Sequence, residues 1–152
     1  MSVEVRAEAA DGKAAQALWA EYMAFVAERV SQAPASPEAI FATTDAFAGG
    51  AWLVVYDGGE PVACGGLRPL DPLTGEIKRM FVTERARGRG HARRLLGELE
   101  RRAREAGMRR VRLLTTEDLR EARTLYDGAG YRVVDAPREG SRQDYWMEKE
   151  LV

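Results

Sequence analysis

The stretch Arg85-Ala86-Arg87-Gly88-Arg89-Gly90-His91-Ala92 carries the strongest chemical signal in the sequence. Gly88 and Gly90 allow a sharp turn with no Cβ in the way, so successive main-chain N–H groups can face one concavity. The residues that follow have helical periodicity, and the first turn of a helix offers unpaired N–H groups at the positive end of its dipole. Together these features make an anion site, suited to phosphate or pyrophosphate. The charge distribution agrees: residues 83–112 hold eleven arginines and four acids, whereas residues 1–76 hold four basic and eleven acidic side chains. Two common phosphate motifs do not fit. The Walker A pattern needs Gly-Lys followed by Ser or Thr, and this loop has no lysine; the dinucleotide fingerprint needs a third glycine where Arg93 stands. ATP and NAD lose weight as ligands.

Cys64 and His91 each occur as the single residue of their type. Cys64 lies in Val62-Ala63-Cys64-Gly65-Gly66-Leu67, a strand-like run in which a buried filler is expected rather than an acyl-carrying nucleophile. His91 opens the helix, where its backbone belongs to the anion loop and its ring could reach a phosphate. One cysteine and one histidine exclude an intramolecular disulfide and leave no ligand set for a closed Cys/His zinc site, so no metal is expected and a reducing compartment fits.

These groups must be positioned by a chain of 152 residues with 45% hydrophobic and 31% charged side chains, the composition of one globular domain, 1–152. A net charge of −1 argues against a polycation that coats nucleic acid, and no run approaches the length of a signal peptide core or membrane span. A cytoplasmic protein without membrane or nucleic-acid partners is expected. Residues 11–31 carry apolar side chains on one helix face (Ala14, Leu18, Tyr22, Phe25, Val26, Val30), and a second short helix is predicted near 36–48, beyond Pro34. Trp52–Tyr56 and Val62–Leu67 flank Asp57-Gly58-Gly59 as a hairpin. Glu76–Val82 forms a third strand, with Glu76, Lys78, Met80 and Val82 on one face and Ile77, Arg79 and Phe81 on the other. Ala92, Leu95, Leu96, Leu99 and Ala103 mark a helix over 91–106, closed by Gly107. A strand at 111–115, a helix at 119–128 opened by Asp118 and Glu121 as a capping box, a strand at 131–134, a polar loop at 135–143 and a last strand at 145–151 complete the chain. The order predicts an α/β (α+β) fold: a mixed, mostly antiparallel central sheet of six to seven strands, flanked by about four helices.

The spacing Arg87-x-x-Gly90-x-Ala92, between a strand and a helix, resembles the acyl-CoA-binding motif of the GNAT N-acetyltransferase superfamily. Glu76–Val82 is similar to the strand preceding that motif, and Leu125-Tyr126-Asp127-Gly128-Ala129-Gly130-Tyr131 to the later helix and its glycine turn; together the match covers about residues 60–132. The resemblance implies acetyl-CoA as cosubstrate and transfer to a primary amine of a small molecule or peptide. It implies that main-chain N–H groups from Arg87 through Gly88, Arg89, Gly90 and His91 to Ala92 hold the pyrophosphate, with Arg87 the first choice for added charge. Met80, Phe81 and Val82 would then present the strand edge that pairs with the pantetheine arm, and an N–H near Val82 would stabilise the developing oxyanion. Direct transfer needs a neutral amine and a proton for the departing thiolate. By resemblance Glu76 is the candidate general base, acting through a water, and Tyr126 the candidate general acid. The bland alternatives are a rim carboxylate paired to Lys78 or Arg79 and a core aromatic on an amphipathic helix.

Two other classes compete. The fold could hold acyl-CoA as a non-catalytic sensor, and the arginine-rich helix could serve as a nucleic-acid surface, although residues 83–112 contain no aromatic side chain to stack on bases. Acceptor identity would be set by residues 11–50, 68–75 and 135–143, where the residues carry no chemical signature. Thr115 and Thr116 stand where many relatives have a polar group near the cofactor. Pairing of free sheet edges offers a route to a homodimer.

Overall fold

The run Trp52-Leu53-Val54-Val55 is buried on both sides, and the alternation of strand side chains divides it between two cores. Leu53 and Val55 join Leu67, Ile77, Val111 and Leu113 in one cluster, while Trp52 and Val54 join Cys64 and Phe81 in another. Such a strand requires helices on both faces of its sheet. The computed structural model describes residues 2–29, 47–116, 120–135 and 144–151, and its sheet has seven strands. These are β1 (Val3–Ala7), β2 (Ala51–Asp57), β3 (Glu60–Asp71), β4 (Thr74–Val82), β5 (Arg110–Thr116), β6 (Arg132–Asp135) and β7 (Asp144–Glu150), in the order β1-β2-β3-β4-β5-β7-β6. All neighbours are antiparallel except β4 and β5. Helix α1 (Lys13–Arg29) packs Ala15 and Leu18 on the Trp52 face. Helices α2 (His91–Glu105) and α3 (Arg120–Gly128) pack Leu95, Leu96, Leu99 and Tyr126 on the opposite one.

The mixed, mostly antiparallel sheet agrees with the sequence reading. Strand β1 was not expected there: the alternation of Val3 and Val5 with Glu4 and Arg6 is present, but five residues give a weak signal. The described residues contain three α-helices and a 3₁₀ turn at Glu84–Ala86. The short helix expected near 36–48 lies, except for residues 47 and 48, outside the described residues, as does the Asp118 cap. Among the described residues no helix is long and apolar enough to cross a membrane.

The expected division of β4 into two regular faces is incorrect. Leu67 pairs with Ile77 and Gly66 with Lys78, but Cys64 pairs with Phe81 and Ala63 with Val82. Two steps along β3 are therefore matched by three along β4, which is a bulge opposite Gly65. Arg79 supplies it, with φ 59, the one positive φ outside glycine among the described residues. The extra residue reverses the side-chain parity, so Ile77 enters the α2 core while Phe81 enters the α1 core. Met80 and Val82 pack against the α2 core instead of sharing the Glu76 face. Gly65 leaves room for this, since a Cβ there would lie 2.9 Å from the Met80 sulfur.

Arg79→Gly and Arg79→Ala both remove the guanidinium, so their difference isolates the backbone. Arg79→Gly is expected to be the more stable by about 1 kcal/mol in urea unfolding, the reverse of ordinary strand preference. Equal stability, or Ala ahead, would refute the left-handed bulge.

Candidate functional site

Strands β4 and β5 pair only from Thr74 opposite Arg110 to Ile77 opposite Leu113. Beyond that point β4 runs on to Val82 beside β3, and β5 runs on to Thr116 beside β7. The two strands part after Ile77, and the sheet opens into a V whose inner edges have no strand partner across the gap among the described residues. The Arg79 bulge lies at the start of the parted segment, where it adds twist. The Thr83 N–H donates to the Val62 carbonyl at 2.9 Å. Main-chain groups alternate sides along a strand, so those of Val82 point into the gap.

The glycine loop follows directly on the end of β4. The Ala86 N–H donates to Thr83 O at 3.0 Å and the Arg87 N–H to Glu84 O at 3.3 Å, closing the 3₁₀ turn. Gly88 and Gly90 then take φ of 80° and 81°, and α2 begins at His91. Its hydrogen-bond ladder opens with the Arg94 N–H donating to Gly90 O at 3.0 Å, so the N–H groups of His91, Ala92 and Arg93 precede the first helical bond. The donors expected from the sequence began at about Arg87, whose N–H is already taken by Glu84 O within the 3₁₀ turn. A Cβ built on Gly88 or Gly90 would meet nothing within 4 Å, so these glycines serve the backbone conformation rather than a close contact.

The loop side chains turn elsewhere. The Arg87 Nε donates to Val82 O at 3.2 Å, and its guanidinium lies 4.5 Å from the Phe25 ring centre, joining the loop to the end of β4 and to α1. The His91 ring is buried under the loop, with Nε2 3.2 Å from Oδ2 of Asp57; Arg89 reaches the same oxygen at 3.6 Å. The ring nitrogen that could have met a phosphate is thus held by a carboxylate. Asp57 was legible in the sequence only as a hairpin turn residue, because 34 positions separate it from His91.

Tyr126 is placed by the end of α3. The Tyr131 N–H donates to Tyr126 O at 3.0 Å and the Gly130 N–H to Asp127 O at 3.2 Å, with Gly130 at φ 95. This is a Schellman closure, whose characteristic apolar contact is the Tyr126–Tyr131 ring pair at 5.8 Å. The Leu-Tyr-x-x-x-Gly-Tyr spacing is therefore a helix-ending device that also anchors a buried phenol. Burial raises the Tyr126 pKa well above that of an ordinary tyrosine, and the phenols of Tyr22 and Tyr145 push it further in the same direction. Tyr22, which the sequence showed only as part of a helix face, packs edge-on against Phe81 at 5.5 Å.

Glu76 is no rim carboxylate. It is 6% exposed, and the Arg68 guanidinium, from β3, lies 3.8 Å from its Oε1. It sits one residue before the strands part, on the face of α1 and opposite the Tyr126 face. The two candidates thus lie on opposite faces of the sheet. Arg79 lies half-buried, 5.4 Å from the Trp19 ring and 5.5 Å from Phe47, and burial lowers its pKa. Thr115 is buried on β5.

A model of the acetyltransferase (GNAT) family matches residues 10–131. The uncharacterized N-acetyltransferase YjgM of Escherichia coli K12 is 37% identical over 87 residues, covering 55% of this chain and 52% of that one. The chain therefore spans about half the length of that curated relative. Among solved structures, an acetyltransferase from Streptococcus agalactiae 2603 superposes with a TM-score of 0.81 at 17% identity, covering 98% of both chains. A GNAT family acetyltransferase from Elizabethkingia anophelis, with acetyl-CoA bound, gives 0.74 at 18% identity, again over 98% of each chain. At these identities the structural likeness concerns the fold.

Cys64 is 2% exposed, its Sγ lies 3.7 Å from the Arg79 carbonyl, and burial pushes its pKa up to about 12. The thiol stays protonated at neutral pH, which fits a packing role and not a nucleophile. Iodoacetamide at pH 8 is expected to label Cys64 at least ~100-fold more slowly in the folded protein than in the denatured chain. Labelling at the rate of a free thiol would contradict this placement.

Proposed function

The chain belongs to the acetyltransferase (GNAT) family, and from that premise we propose that it is an acyl-CoA-dependent N-acyltransferase, with acetyl-CoA as cosubstrate and a primary amine of a small molecule or peptide as acceptor. The observation that carries the reading is the gap between β4 and β5, with the Gly88–Arg93 donors following on the end of β4. The fit is chemical. A pyrophosphate needs several convergent N–H donors and the positive end of a helix, and the loop supplies both. An extended arm bearing amides needs an unpaired strand edge, and the inner edge of β4 is one.

In this reading Gly88, Arg89, Gly90, His91 and Ala92 hold the pyrophosphate through their main chain, and Arg87 closes the loop onto β4. Met80, Phe81 and Val82 present the edge that orients the arm, and the Val82 N–H donates to the thioester oxygen. Tyr126, kept neutral by its burial, holds a proton at Oη for the departing sulfur. Glu76 takes the amine proton through a water. The acceptor approaches from the α1 face, where Glu76 lies, and the sulfur leaves toward Tyr126. The whole chain forms one catalytic domain in the cytoplasm, a reducing compartment that suits its one buried cysteine. The outer strands β1 and β6 are the edges through which two copies would pair.

Calorimetric titration tests the cosubstrate: micromolar binding of acetyl-CoA is expected, with ATP and NAD much weaker. No binding of acetyl-CoA or longer acyl-CoAs by the folded protein would overturn the reading. On a panel of amines, Tyr126→Phe is expected to lower kcat by about 10²- to 10⁴-fold while the Kd for acetyl-CoA changes by less than about threefold. Glu76→Gln is expected to lower kcat/KM for the amine with the same binding constant retained. A panel that releases no CoA with the unaltered protein would favour the non-catalytic sensor.

A further inference from the structure

The loop that would hold the pyrophosphate contains two glycines in left-handed conformation, so its donors need something to fix them. Glycine-rich turns have large conformational freedom, and ordering one when a ligand arrives subtracts directly from affinity. The first helical bond of α2 restrains the segment only from Gly90 onward. What restrains it from below is a carboxylate on another element. Asp57, at the end of β2, is 13% exposed at its side chain and accepts from the His91 Nε2–H at 3.2 Å, with the Arg89 Nη1 at 3.6 Å. These two partners flank Gly90, the residue that caps α2.

The hairpin end that carries Asp57 is itself anchored. Asp57 pairs with Glu60 across the turn and with Val3 on β1, and the Gly58 N–H donates to Ser2 O at 3.0 Å. A second tie runs alongside, from Arg85 to Glu60 at 3.9 Å and to Glu21 of α1 at 3.3 Å. An acid beside a phosphate site is unfavourable unless its charge is occupied. Here it is occupied by the two groups it holds, one of them buried and one exposed. His91 is the more informative partner: its ring is 3% exposed, and Nδ1 has no hydrogen-bond partner among the described residues, so the ring is held in place through Nε2.

We propose that Asp57 is a positioning residue for the anion loop: by holding the His91 ring and the Arg89 guanidinium on either side of Gly90, it sets the N–H groups of Gly88 to Arg93 in their binding arrangement before the phosphates arrive. The inference rests on the acyl-CoA reading above. It adds that the hairpin end, remote in sequence from the loop, tunes affinity for the phosphate end alone.

The test compares Asp57→Ala and Asp57→Asn with the unaltered protein by calorimetry against CoA, and by competition with pantetheine, which lacks the phosphates. Asp57→Ala is expected to weaken CoA by about tenfold or more while pantetheine shifts by less than about twofold. Asp57→Asn keeps an oxygen to accept from His91 and is expected to restore CoA binding to within about threefold. Amide hydrogen exchange of residues 88–93 should accelerate in Asp57→Ala, with α1 and β2 unchanged. If Asp57→Ala does not fold, His91→Phe, which keeps an apolar ring and removes the bond, should show the same selective loss. Unchanged CoA binding, equal loss of CoA and pantetheine, or tighter CoA binding, as expected if the carboxylate merely repels phosphate, would each overturn the proposal. Failure of the unaltered protein to bind CoA would instead sink the acyl-CoA reading, so the two failures are distinct.

Discussion

The parting of β4 from β5 is the constraint on which the rest of the site depends. Strands in the interior of a sheet ordinarily satisfy main-chain donors and acceptors on both sides, and a dry unpaired group costs about 1–3 kcal/mol. This sheet gives up pairing in its centre, after Ile77 and Leu113, rather than at its rim. Two devices keep the arrangement from collapsing. The bulge at Arg79 turns β4 away while preserving its bonds to β3, and the Arg87 side chain satisfies the carbonyl of Val82. What is left is a strand edge with its polar groups directed into a gap, the complement of an extended chain carrying amides.

The faces beside that gap are held by different chemistry. On the α1 side the packing is aromatic: Tyr22 and Phe25 lie against Phe81, and Trp19 against Tyr22 at 5.0 Å. The guanidinium groups of Arg79 and Arg87 rest on these rings, a favourable cation–π placement beside apolar surface. On the α2 side a buried acid does the joining. Glu100 accepts from the Tyr131 hydroxyl at 2.9 Å and from the Lys149 ammonium at 2.8 Å, connecting α2 to the turn after α3 and to β7. Both carboxylate oxygens are engaged, the condition under which a buried charge is tolerated, and removal of a single partner is the costly change. Because Tyr131 closes the end of α3, this network also fixes the helix that carries Tyr126.

Charge explains how a strongly basic segment can be part of a nearly neutral protein. The arginines around the start of α2 meet acids from the N-terminal half: Glu21, Asp57 and Glu60. Exposed pairs of this kind contribute little stability, so their importance lies in where they hold the loop. Arg85 and Arg89 make these contacts, whereas Arg101 and Arg104 pair with acids of α2 itself and Arg110 with Glu150 of β7.

The sequence alone determined whatever depends on neighbours along the chain. The Gly88–Gly90 turn ahead of an amphipathic helix, the hairpin around Gly58, and the glycine turn after Tyr126 are local conformational preferences, and each is found where the residues put it. The tertiary structure decided what depends on partners remote in sequence. The bulge at Arg79 arises from register against β3, so alternation along β4 could not reveal that Ile77 and Phe81 face opposite cores. The hold of Asp57 on His91, the pairing of Glu76 with Arg68, and the redirection of Arg87 to Val82 likewise join elements whose approach is set by burying two cores on one sheet. A side chain's type limits the chemistry open to it, but its partner is chosen by packing, and packing is a property of the whole chain.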